Sequence, residues 1–133
     1  GWAAASEGML VPFCRLDLTE NPVAEAERCL DAGACGIKLH PRAQFFDFGA
    51  DGLNPVFELA SERRVPILIH AGRGLPAIAD DLRVLVERHD GAQLILAHAA
   101  IADLEHIART LVDHPNVLYD TSVWSTTALG ARE

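Results

Sequence analysis

Three of the six histidines sit where short apolar runs end, and histidine is the residue type most able to turn such a position into chemistry. Cys35-Gly-Ile-Lys-Leu-His-Pro41 stops at His40, Val65-Pro-Ile-Leu-Ile-His-Ala-Gly72 at His70, and Gln93-Leu-Ile-Leu-Ala-His-Ala99 at His98. A neutral imidazole offers one lone pair to a proton or a metal ion and one N–H to an orienting partner. Three of them on one rim could hold a metal, carry a proton, or divide those tasks. Further groups add to the set. Arg15 and Arg73 offer the planar fork that grips a carboxylate with two parallel hydrogen bonds, or they pair at the surface with some of the chain's 19 acids. Lys38 precedes His40 by two residues, and Asp120 ends a later apolar run. His89, His106 and His114 fall on helices or helix ends, where solvent and the helix dipole account for them.

The elements that must position these groups read as strand and helix in alternation. The run ending at His70 is short, rich in Ile, opened by Pro66 and closed by Gly72, as in a buried parallel strand. Alternation puts Ile67 and Ile69 on one face and Leu68 with His70 on the other. Strands are expected over Met9–Leu16 and from near residues 35, 65, 93 and 116, the last placing Leu118 and Asp120 on one face and Val117 and Tyr119 on the other. Asn21-Pro22 and Asn54-Pro55 read as helix starts, with Asn at the N-cap and Pro at the first helical position. The first of these helices carries Val23, Ala26 and Leu30 on its buried stripe and stops at Gly33. A helix over about 76–89 carries Ile78, Leu82, Leu85 and Val86, and another is N-capped by Asp103. Residues 41–54 form the longest irregular stretch, in which Phe45, Phe46 and Phe48 either cap the core or build a lid. If the strands are parallel neighbours, His40, His70 and His98 share the inward face and converge at the carboxyl-end rim, where α/β enzymes place their chemistry. Five βα units alone would also suit a doubly wound sheet, although no Gly-x-Gly-x-x-Gly follows the first strand.

Composition narrows the function classes. The 133 residues suit one modest domain, and half are hydrophobic. A formal net charge of −8 argues against a nucleic-acid or anionic-membrane partner. No apolar run approaches the roughly 20 residues of a membrane span. The odd set of Cys14, Cys29 and Cys35 reads as reduced core residues of a cytosolic protein. Residues 1–8 read as the last turns of a helix closed by Gly8, and 122–130 as a loop entering a helix that is not completed. The chain is therefore expected to be a piece of a longer protein.

Gly-Ile-Lys-Leu-His-Pro, Pro-Ile-Leu-Ile-His-Ala-Gly, Ile-Leu-Ala-His-Ala-Ala and Val-Leu-Tyr-Asp-Thr-Ser, in this order and spacing, resemble the amidohydrolase superfamily, and within it the amidohydrolase 2 branch of metal-dependent hydrolases and decarboxylases. The resemblance covers nearly the whole chain. It implies a partial TIM (β/α)8 barrel of about five parallel βα units, strands three to seven, in a single incomplete domain over residues 1–133. It implies a divalent metal ion, zinc first and manganese among the alternatives, with His70 as the strand-five ligand. His98 matches the strand-six histidine, a catalytic or substrate-polarising group where one metal is bound and a second ligand where two are. His40 and Lys38 lie on strand four, where a bridging lysine or glutamate occurs in two-metal members. We take His98 and His40 as catalytic candidates and Arg15, Lys38, Arg73 and Asp120 as candidates for holding a small-molecule substrate. The family's strand-one His-x-His and strand-eight aspartate have no counterpart here, and Ala100 replaces a glycine common after the strand-six histidine. The expected function is a metal-dependent hydrolase or carbon–carbon lyase. A non-catalytic half-barrel and an open-sheet binding module are the alternatives. Unclosed sheet edges would favour a homo-oligomer.

Overall fold

The computed structural model describes residues 1–72, 75–98 and 103–122. Its strands β1 (Phe13–Arg15), β2 (Gly36–Leu39), β3 (Pro66–His70), β4 (Gln93–Ala97) and β5 (Val117–Tyr119) form one parallel sheet in the order β1-β2-β3-β4-β5. Between them run α1 (Pro22–Asp31), α2 (Pro41–Gln44), α3 (Leu53–Arg63), α4 (Ala79–Arg88) and α5 (Leu104–Thr110). A doubly wound sheet reverses its strand order at a switch point. This order never reverses, so the open-sheet alternative falls and the architecture is that of consecutive units of a barrel.

One face of the sheet holds the core. Ile37, Leu39, Ile67, Ile69, Leu94 and Leu96 are fully buried against Phe57, Leu82 and Ile107 of the helices. The register pairs Lys38 with Leu68, Leu68 with Ile95, and Ile95 with Leu118, which sets these residues on the opposite face. That face is less covered, and Leu118 is exposed. It is the inward side of the barrel, and Lys38 and His70 lie on it.

Several boundaries differ from the sequence expectation. The first strand begins at Phe13, leaving Met9, Leu10 and Val11 exposed, because β2 begins at Gly36 and pairs first with Phe13. Residues 4–6 form a single 3₁₀ turn, followed by Glu7 and Gly8 in left-handed conformations. α3 starts at Leu53, ahead of Asn54, whose side chain does not cap it. Asn54 Oδ1 instead accepts from Arg88 Nη1 at 2.7 Å and faces His89 Nε2 at 3.3 Å, tying α3 to the end of α4. Asn21 and Asp103 occupy N-cap positions without making a side-chain cap bond. The stretch after β2 is not wholly irregular, since α2 forms at its start. Phe48 is buried and meets Phe46 edge-on, so these two cap the core, whereas Phe45 is 93% exposed.

The cysteines are free, and they differ in setting: Cys14 is buried, Cys29 half-buried and Cys35 exposed, so the expectation of three core residues fails for Cys35. Burial, reinforced by the neighbouring Cys29, pushes the Cys14 thiol up to about 11. Native-state alkylation at pH 8 should therefore label Cys35 first and Cys14 last, since the thiolate is the reactive form. Mass spectrometry of timed samples checks this. Ile69→Ala should destabilise by about 2–5 kcal/mol in denaturant titration, because it leaves a cavity between sheet and helices, whereas Val84→Ala on the exposed face of α4 should stay within about 0.5 kcal/mol.

Candidate active site

The three strand-end histidines meet. The His40 ring lies flat on His70, with centroids 3.9 Å apart and planes 10° from parallel. His70 meets His98 edge-to-face, with centroids at 5.0 Å and an interplanar angle of 72°. His40 and His70 reach the rim by the alternation that the sequence predicts. His98 arrives differently, because Leu94 and Leu96 face the helices, and an extended chain would send residue 98 the same way. A left-handed backbone at His98, with φ 61°, turns its side chain to the rim instead. For a residue other than glycine that geometry costs roughly 1–2 kcal/mol, so something must hold it.

The holding groups are on the segment after β5. His98 Nδ1 lies 3.2 Å from the Ser122 carbonyl oxygen and 3.3 Å from Ser122 Oγ. A carbonyl only accepts, so Nδ1 carries a proton, and in the tautomer protonated there the lone pair belongs to Nε2. Ser122 Oγ in turn donates to Asp120 Oδ2 at 2.7 Å, and Ser122 N–H donates to Asp120 Oδ1 at 2.8 Å. These two bonds hold the Asp120 carboxyl below its ordinary range, with smaller help from the His98 backbone and ring. Asp120 thus supports Ser122, and Ser122 orients His98. Of the two uses expected for this carboxylate, substrate-side or structural, the geometry here is that of a supporting group.

Arg15 and Lys38 are paired in register, and Lys38 Nζ donates to the Leu39 carbonyl at 3.1 Å. Burial lowers the Lys38 ammonium below its ordinary value, Asp120 opposes that shift, and Arg15 adds to it. Two cations and one carboxylate therefore share the inward face beside the histidines. Arg73 lies outside the described residues. His89 contacts Asn54 and Phe57, and His106 lies 3.6 Å from Asp103, both away from this rim.

Gly72 and Ser122 touch the histidine cluster, and neither was among the site residues named from the sequence. A Cβ at Gly72 would come within 2.7 Å of His70 Cε1 and 2.9 Å of His98 Cδ2. The two rings thus approach the chain in space that only glycine leaves. The strand-glycine pattern at His70-Ala-Gly72 carries that signal, whereas Ser122 had only the Asp-Thr-Ser motif to suggest it. His40 Nδ1 accepts from Ala43 N–H at 3.2 Å and caps α2, the loop-bonding role that a histidine before proline can take.

Among the described residues no three His, Cys, Asp or Glu side chains converge on a point that could hold a metal ion. These residues do not make a closed metal site by themselves.

Comparison with known proteins places the geometry in a family. The family profile described as Amidohydrolase matches residues 1–132. No curated protein matches the chain. An uncharacterized TIM-barrel protein from Bordetella bronchiseptica superposes with TM-score 0.79 at 15% identity, over 99% of this chain and 53% of its own. A protein from Staphylococcus aureus assigned as an amidohydrolase superposes with TM-score 0.59 at 19% identity, over 92% of this chain and 53% of its own. The chain thus spans about half the length of these solved structures, and at such identities the likeness shows the barrel fold.

Gly72→Ala should displace both rings while leaving the helix-facing core intact. In ring-selective NMR of the histidines, the His70 and His98 resonances should move and those of His106 should not. Unchanged His70 and His98 resonances would contradict the crowding.

Proposed function

The chain belongs to the amidohydrolase family, and from that membership we propose that it supplies the histidine-bearing part of a metal-dependent hydrolase or carbon–carbon lyase acting on a small organic substrate. The observation that carries this reading is the meeting of His70 and His98 at the rim, ring centroids 5.0 Å apart, with His98 oriented through Nδ1 by Ser122. His70 would hold the metal through one imidazole nitrogen. The other ligands are assigned to parts of the longer barrel outside these residues, since a catalytic zinc takes three protein ligands. A zinc-type ion, when bound, lowers the pKa of a water to about 7 and polarises a substrate oxygen.

The remaining work falls to this chain's own side chains. His98 Nε2 accepts a proton from the attacking group and delivers it to the leaving group, while Nδ1–H stays on the Ser122 carbonyl and the ring keeps its orientation. The ionised Asp120, acting through Ser122, favours the imidazolium that forms in between. Arg15 and Lys38 hold an anionic substrate group such as a carboxylate, Arg15 by its two-pronged fork and Lys38 as a point charge. The half-buried setting of Lys38 strengthens that attraction relative to bulk water, whereas Arg15 reaches the group from an exposed position.

A second reading, a non-catalytic half-barrel, is favoured by the absence of a three-donor cluster among the described residues. The two readings part in the full-length protein. The enzyme reading expects stoichiometric divalent metal by elemental analysis and loss of both metal and turnover in His70→Ala. Ser122→Ala, which keeps the carbonyl on His98 but removes the Oγ that joins Asp120 to the ring, should keep the metal and lower kcat by up to about 10–100-fold, the usual scale for losing such a supporting group. A full-length protein that holds no metal after dialysis against a mild chelator, and turns over no carboxylated substrate, would favour the half-barrel.

A further inference from the structure

His40 ends β2 with a contact that proton transfer does not require. Its ring covers His70 face-to-face at 3.9 Å, so His70 cannot rotate about its Cβ–Cγ bond without leaving the stack. His40 is itself held by its ring and by its backbone. Its Nδ1 accepts the Ala43 N–H, and because a backbone N–H can only donate, that nitrogen has no lone pair left for a substrate proton. Its backbone N–H donates to Gln44 Oε1. Gln44 Nε2 donates in turn to the carbonyl of Leu16, just beyond β1. Pro41 opens α2 with a fixed φ, which limits how far the cap can shift. The side chain of Gln44 therefore clips the end of β1 to the end of β2, and the clipped residue is the one stacked on His70. On the other side, Gly72 and the edge of His98 close in.

We propose that His40 is a positioning residue for His70 rather than a proton carrier, that its flat ring sets the plane in which His70 presents its nitrogen, and that Gln44 fixes His40 in turn. The site uses the shape of the His40 ring, and its one basic nitrogen is already spent on the helix cap. The inference rests on the reading of His70 as a metal ligand for its functional consequence, but the ring geometry can be measured without metal.

The test uses the full-length protein with His40→Ala, His40→Phe, Gln44→Ala and His70→Ala, each first shown to be folded by its thermal transition. In metal-free protein, the ring protons of His70 lie over the His40 face and are shielded by it. His40→Ala should move them downfield, and His40→Phe, a planar ring without nitrogens, should keep them upfield. In zinc competition against a chelator, His40→Ala should weaken affinity about 10–100-fold, as loss of an orienting contact does, and Gln44→Ala should weaken it less. His40→Phe should recover affinity toward wild type. His70 resonances that do not respond to His40→Ala overturn the proposal, as does a His40→Phe protein as weak in zinc as His40→Ala. If His70→Ala retains its zinc while the resonances behave as expected, the positioning stands and the ligand reading of His70 falls.

Discussion

The hydrogen-bonded ladder that pairs Ile37 with Ile67 and Ile67 with Leu94 sets the height of every group at the rim. Parallel pairing sends all carboxyl ends one way, and the sequential strand order keeps neighbours in sequence as neighbours in space. A slip of one residue in β3 would send His70 into the helix layer and bring Ile69 to the rim. The fully buried Ile37, Ile67, Ile69, Leu94 and Leu96 resist that slip, because each would lose its apolar cover. Core packing and site geometry are in this sense one constraint. The apolar face of each strand fixes the register, and the register fixes which imidazoles meet.

Much of this arrangement was legible in the residues. A run such as Pro66–His70 has one plausible structure, and its period of two assigns His70 to a face without further help. The strand order and partial barrel followed from the ordered motifs, and the stripe of Ile78, Leu82, Leu85 and Val86 is buried as its spacing requires. Periodicity could not find what depends on a single dihedral. By alternation His98 belongs with Leu94 and Leu96, and only the left-handed turn at its own backbone brings it to His70. Asn54 was misleading because its amide was claimed by Arg88 and His89, 34 and 35 residues away. Competition of that kind between a local cap and a distant partner leaves no mark in the local sequence.

The two sides of the histidine cluster are supported in different ways. On one side the support is steric: His40 lies on the His70 face, and Gly72 leaves room for the approach. On the other it is electrostatic and hydrogen-bonded, from Asp120 through Ser122 to His98. The division suits the tasks proposed for the two rings. A metal-holding imidazole needs a fixed direction for its lone pair, and a proton-carrying one needs a partner that tolerates its changing charge. Asp120 is held below the ordinary carboxylate range by Ser122, so it stays ionised through neutral pH and keeps that partnership. As pH falls through its lowered folded-state value, Asp120 gains its proton and the support for His98 is lost.

The central claim is that His70 presents a nitrogen to a metal ion at this rim. Anomalous diffraction at the zinc absorption edge, from crystals of the full-length protein grown with zinc, tests it most directly. The account predicts an anomalous peak about 2.0–2.1 Å from a ring nitrogen of His70. A peak bound elsewhere in the barrel with His70 outside its coordination, or no peak at the rim in a zinc-saturated protein, would contradict it.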